Sequence, residues 1–136
     1  MKNLVCYDIN GNKLIANYYI IEQLTDCGLK KLEFRLFLDG DNLDEWFDFK
    51  IVFLKNGFIK ITDMFVGKNE HRQKGIPEAL ILEVKNLFNK KVISSSTKKP
   101  VLISEFRREE ATKVWKRLIK KELANYDLEN DYYFLL

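Results

Sequence analysis

The stretch Gly67-Lys68-Asn69-Glu70-His71-Arg72-Gln73-Lys74-Gly75-Ile76-Pro77 carries the residue types that hold an anion. A β-branched and aromatic run, Phe58 to Val66, precedes it, and apolar residues at helical spacing follow from Ile76. A strand that enters a glycine-containing turn and then a helix leaves several backbone N–H groups unpaired and convergent. The helix dipole adds partial positive charge at the same point. Arg72, Lys74 and the backbone of Gly75 improve the site for a phosphate or a pyrophosphate. Each charge-assisted hydrogen bond there contributes roughly 1.5–3 kcal/mol, so a few of them suffice for micromolar binding before ordering costs. Other reactive side chains are sparse. His71 is the only histidine and has no carboxylate cluster around it in sequence, which gives no metal site and leaves a packing or surface role. Cys6 and Cys27 are too few and too unpatterned for a disulfide framework or a zinc site, and read as ordinary thiols.

The elements that must position this loop fall into two differently patterned halves of one domain, residues 1–136. The first half reads as strands and turns. Asn10-Gly11-Asn12 is a turn signal ahead of Lys13 to Glu22, and Lys31 to Leu38 alternates polar with apolar until Phe37. Asp39-Gly40-Asp41-Asn42 breaks that strand. Trp46 to Leu54 resumes an aromatic run, and Lys55-Asn56-Gly57 predicts a tight turn into Phe58 to Val66, so these last two strands form an antiparallel hairpin. In the second half, Ala79, Leu80, Val84, Leu87 and Phe88 predict a helix from Ile76, with Pro77 in its first turn and Lys90-Lys91 past its end. Ala111, Val114, Trp115, Leu118, Ile119 and Leu123 form the stripe of a second helix. Between the helices, Val92 to Ser95 and Val101 to Ser104 compete as the intervening strand, with Ser94 to Thr97 read as a loop. Tyr132 to Leu136 is a terminal strand. The order is that of an α+β fold: a mixed, mostly antiparallel sheet with two main helices in a strand–helix–strand–helix–strand second half.

Composition bounds the function. With 136 residues, 46% of them hydrophobic and 13% aromatic, the chain has enough apolar surface for one sizeable core. No apolar run of membrane-spanning length occurs, and the first residues carry no signal-peptide pattern, so a cytoplasmic protein is expected. A net charge of +3 is only mildly basic. Aromatic strand residues such as Phe34 and Phe37 with nearby lysines admit a nucleic-acid reading, but Glu33, Asp39, Asp41, Asp44, Glu45 and Asp48 in the same half would repel phosphate. The basic clusters, Lys90-Lys91, Lys98-Lys99, Arg107-Arg108 and Lys116 to Lys121, read as solvated surface or as a preference for an anionic small ligand, which needs less charge than nucleic acid.

Arg72-Gln73-Lys74-Gly75-Ile76-Pro77 resembles the Arg/Gln-x-x-Gly-x-Gly/Ala signature of the GNAT superfamily, the acyl-CoA-dependent N-acyltransferases. Ala111-Thr112-Lys113-Val114-Trp115-Lys116-Arg117-Leu118 is similar to that family's later helix pattern Ala-x-x-Leu-Tyr-x-x-Leu. The resemblance spans roughly Phe58 to Leu118, and the first half lacks the long helices that usually follow the family's first strand, as in a reduced or divergent member. It implies a GNAT-like domain that moves an acyl group, most simply acetyl, from acyl-CoA to an amine, without a metal. It assigns Phe65, Val66, Arg72, Gln73, Lys74, Gly75, Ile76 and Pro77 to the CoA thioester. A backbone N–H near Phe65 or Val66 serves the oxyanion.

That chemistry needs a base for the amine and a proton for the leaving thiolate. Asp63, the only carboxylate on its strand, and Glu70, in the loop, are the candidate bases. By strand alternation Asp63 shares a face with Ile61 and Phe65. Trp115 stands where the family pattern has a thiolate-protonating Tyr, and an indole does not fill that role. Tyr126, with Tyr132 or Tyr133, is the candidate replacement. The competing reading is a catalytically inactive GNAT-like module that binds CoA or a protein partner. A terminal edge strand also invites pairing between two copies of the chain.

Overall fold

The computed structural model describes residues 1–97 and 107–136, and the Val101 to Ser104 alternative lies outside the described residues. Eight strands form one sheet: β1 (Lys2–Tyr7), β2 (Lys13–Leu24), β3 (Lys30–Phe37), β4 (Phe47–Phe53), β5 (Ile59–Phe65), β6 (Val92–Ser94), β7 (Ala124–Asp127) and β8 (Tyr132–Leu135). Their spatial order is β1-β2-β3-β4-β5-β6-β8-β7, so the chain meanders through five antiparallel strands before it crosses over. Helix α1 (Ile76–Phe88) makes that crossover and delivers β6 parallel to β5. Helix α2 (Glu109–Lys120) leads to the β7–β8 hairpin, whose second strand returns beside β6. This is the expected α+β architecture. Two strands went unread in the sequence: β1, and β7, which turns the single terminal strand into a hairpin.

Local chemistry explains the elements. The β4–β5 turn closes on Gly57 at φ 89°, with the Asn56 side chain accepting from the Phe58 N–H at 2.9 Å. Asp8 caps the β1–β2 turn by accepting from the N–H groups of Asn10 and Asn12. In α2, Val114, Trp115 and Leu118 are buried, while Glu109 and Glu110 open the helix and Arg117 and Lys120 close it, which suits its dipole. The core lies between the helices and one face of the sheet. Tyr18, Phe34, Phe47, Phe49 and Trp115 are fully buried there, each ring contributing on the order of 1.5–3 kcal/mol. Phe34 meets Phe49 edge-on at 5.7 Å, and Tyr18 donates from its hydroxyl to Glu83 at 2.7 Å, tying β2 to α1.

One irregularity bears on the site. In the β4–β5 ladder, Ile51 pairs with Ile61 but Lys50 pairs with Asp63, so Thr62 is an extra residue, a β-bulge. The expectation that Asp63 shares a face with Ile61 is therefore corrected. The bulge shifts parity by one, and Asp63 keeps Phe65 but joins the side of Lys50 and Asp48. Burial raises the Asp48 carboxyl; Lys50 pulls it back, and the charges of Glu33 and Asp63 push it up again.

Candidate functional site

The parallel ladder between β5 and β6 is short. It pairs Ile59 with Val92, Lys60 with Ile93 and Ile61 with Ser94, and then β6 ends while β5 continues to Phe65. Ser95 closes the apex of the split: its hydroxyl donates to the Ile61 carbonyl at 2.8 Å, in the place of a ladder N–H. Ser94 does the same toward β8, accepting from the Tyr133 N–H at 2.9 Å. Both serines are buried; Ser94 belongs to β6, which corrects the loop reading there, whereas Ser95, Ser96 and Thr97 lie in a loop as the sequence suggested.

A cleft of about 760 Å³ opens from this split. That volume is within the range of small-molecule and cofactor sites. Its floor is the end of β5, from Ile61 to Val66; one wall is the loop into α1, and the other is α2 with the residues just before it. Of the eight residues assigned to CoA, Phe65, Val66, Arg72, Gln73, Gly75 and Pro77 line the cleft. Ile76 instead points into the core, fully buried, and Lys74 is half-buried beside Asp8, whose carboxyl is held low first by the N–H groups of its turn. Asp63 lines the cleft, whereas Glu70 is exposed on a single 3-10 turn, Asn69–His71, outside it. Tyr126 is also outside. Its hydroxyl donates to Asp131 at 2.6 Å, and that bond holds its proton on, raising its pKa.

The loop is preorganised. Gly75 caps α1 in the left-handed region at φ 70°, preceded by Gln73 at φ 60°. Among the described residues, the backbone N–H groups of Gln73, Gly75, Ile76 and Glu78 have no acceptor, while the Gln73 carbonyl takes the Ile9 N–H at 3.0 Å. Pro77 contributes no N–H. An anion at this helix start would meet several free donors.

His71 holds this loop from beneath. Its side chain is fully buried; Nδ1 accepts from the Gly67 N–H at 3.2 Å, so Nε2 carries the proton and donates to Asp41 at 2.7 Å. Asp41 also accepts from the Leu38 N–H at 2.8 Å and pairs with Lys68 at 2.6 Å. Burial works against this carboxylate, but the bonds from Lys68, His71 and Leu38 outweigh it and lower its pKa. Sequence alone showed the histidine but not its partner, which lies thirty positions away. Asp41→Asn is expected to destabilise the fold by about 1–3 kcal/mol, read by urea denaturation. The sign with pH follows: a depressed carboxyl stabilises above its unfolded value and loses that contribution as pH falls through the folded one. The difference between wild type and variant therefore shrinks only under acid conditions.

Several lining groups gave no signal in the sequence because distant elements bring them in. Tyr7 and Asp8 arrive from the end of β1, and Glu78, Arg107, Arg117 and Lys121 face the cleft from the two helices and the residues flanking α2. Trp115 is buried against it, stacked on Tyr133 at 6.1 Å, with Nε1 lacking a hydrogen-bond acceptor among the described residues. Burial pushes the Cys6 thiol up to about 11, with the nearby charge of Glu78 adding to the shift, so this cysteine is held protonated. Among the described residues no group of three or more His, Cys, Asp or Glu side chains is disposed to hold a metal, and no helix is long and apolar enough to cross a membrane. No family model matches the chain, and no curated protein or solved structure matches it either.

Proposed function

We propose that the chain is an N-acyltransferase of the GNAT type, carrying an acyl group, most simply acetyl, from acyl-CoA to an amine. The observation that supports this reading best is the split of β5 from β6 after Ile61 and Ser94, opening onto the free N–H groups at the start of α1. An extended pantetheine arm would lie along the exposed edge of β5, and the pyrophosphate would sit against Gln73 to Glu78, with Arg72 beside it. The amine would approach the thioester near Phe65, where Asp63 is the nearest of the candidate bases. The reaction transfers the acyl carbon from sulfur to nitrogen; the amine proton leaves to a base and the CoA thiolate is protonated.

One observation favours the second reading, a binding module without turnover. Trp115 offers no titratable proton, and Tyr126 is engaged by Asp131 away from the cleft. Calorimetric titration with acetyl-CoA, alongside desulfo-CoA and ADP, tests the cofactor assignment. Micromolar binding that depends on the pyrophosphate is the expected result. Lack of binding at millimolar ligand would overturn the acyltransferase reading and leave only a module that binds a macromolecular partner, and binding without turnover across a panel of amines would select a CoA-binding module.

A further inference from the structure

The start of α1 contains a carboxylate where the proposed ligand brings negative charge. Glu78, in the first turn, lines the cleft and is 8% exposed. One of its oxygens, Oε1, accepts from Arg117 Nε at 2.5 Å, and the other, Oε2, is buried with no donor among the described residues. Arg117 comes from the opposite wall, on α2, and its side chain is 54% exposed. Only its Nε is engaged among the described residues; Nη1 and Nη2 have no acceptor there. Lys121, four residues on at the C-cap of α2, lines the cleft as well. So a single hydrogen-bonded ion pair bridges the two walls beside the free amide groups, and its anion is underpaired.

A carboxylate held by one bond is a weak competitor for a guanidinium. A phosphate group offers more acceptor oxygens and more charge, and a guanidinium fork matches it with two parallel bonds. Glu78 also repels any phosphate seated on the amides of its own helix turn, within a few ångströms of it by covalent connection. Both effects act on the same equilibrium. We infer that Arg117 is a phosphate-binding residue of this cleft, and that Glu78 is the internal anion it gives up when a diphosphate ligand arrives. The exchange sets the affinity of the site below what its amide groups and cations alone would give, and favours ligands with two linked phosphates over singly charged anions. This inference rests on the reading of the cleft as a CoA site.

The test titrates inorganic pyrophosphate and CoA calorimetrically into wild type, Glu78→Gln, Arg117→Gln and the double variant. Circular dichroism melts establish that each is folded, and the double variant leaves no unpaired charge. Glu78→Gln is expected to bind pyrophosphate about tenfold tighter and Arg117→Gln about tenfold weaker. In the double variant the gain from Glu78→Gln is expected to shrink to the part that comes from relieved repulsion, because the released guanidinium is no longer there. Weaker binding by Glu78→Gln would mean that Glu78 only positions Arg117, and would overturn the inference. Additive effects of the two substitutions, or equal binding by all four proteins, would also overturn it while leaving the CoA reading intact. Failure of all four to bind either ligand would remove the CoA reading and this inference together.

Discussion

Asp131→Asn is expected to lower the unfolding free energy by roughly 3–5 kcal/mol, the usual cost of stranding one partner of a buried ion pair. Asp131 is 5% exposed and gathers most of the polar groups beyond β6. Its Oδ2 accepts from the Ser96 hydroxyl, the Thr97 N–H and the Thr97 hydroxyl, and its Oδ1 accepts from Tyr126 and from Arg107 Nη2 at 3.2 Å. The Arg107 guanidinium is itself buried over the Tyr133 ring at 4.8 Å; it also donates to Thr112, Ser94 and the carbonyls of Ser95 and Asp131, but the Asp131 carboxylate is its one anionic partner among the described residues. Burial alone would raise the Asp131 carboxyl, but the bonds from Thr97, Tyr126 and Ser96 reverse this and hold it far below the usual carboxylate range. Its contribution is therefore fully present above the unfolded value of about 3.9 and fades only as pH falls through the depressed folded value. The gap between wild type and Asp131→Asn in urea denaturation should stay constant from neutral pH to about 4 and close only at stronger acid. Asp131→Ala adds a backbone penalty, since the residue sits at φ 52°, a conformation that Asn tolerates better than Ala. A wild-type stability for both variants would mean that the β7–β8 hairpin is anchored by its stacked aromatic rings alone.

The contrast between this cluster and the anion loop shows what the sequence could express. The loop is contiguous: strand, glycine turn, Pro77 and amphipathic helix follow one another, and each has a local signature, so α1 begins at Ile76 as the spacing predicts. Helix α2 was equally legible from its stripe. The closure of the β5–β6 split by Ser95 was not, because nothing in Val92 to Ser95 announces that a serine hydroxyl replaces a ladder bond. The bulge at Thr62 was invisible for a similar reason. It is a property of the β4–β5 register, and it alone decides which face Asp63 occupies. His71 with Asp41, Arg107 with Asp131 and Glu78 with Arg117 are pairs separated by 30, 24 and 39 positions, set by topology and not by spacing. Strand β1 was missed because its period-two pattern is brief, yet Tyr7 and Asp8 at its end form part of the cleft.

Gly75→Ala is expected to remove both stability and ligand binding, for a reason that the signature does not contain. In the GNAT-type motif a glycine at this place reads as room for a phosphate. Here a Cβ on Gly75 would overlap the Tyr7 carbonyl oxygen, backbone against backbone, with no flexible side chain to yield. The left-handed φ of 70° adds strain of about 1–3 kcal/mol for any other residue. Relief requires α1 to part from the end of β1, and that seam forms one edge of the cleft. Loss of CoA binding in a substituted Gly75 protein therefore reports on the fold before it reports on a phosphate contact. Arg72→Ala is the proper companion. Arg72 is exposed and lines the cleft without a side-chain partner among the described residues, so its removal should leave the melting temperature unchanged and weaken CoA binding by about tenfold. Melting curves and calorimetry on both variants separate the two roles. If Gly75→Ala melts with wild type but no longer binds CoA, the glycine serves the ligand. If it melts early, the glycine serves the β1–α1 seam, and only the Arg72 result bears on the anion.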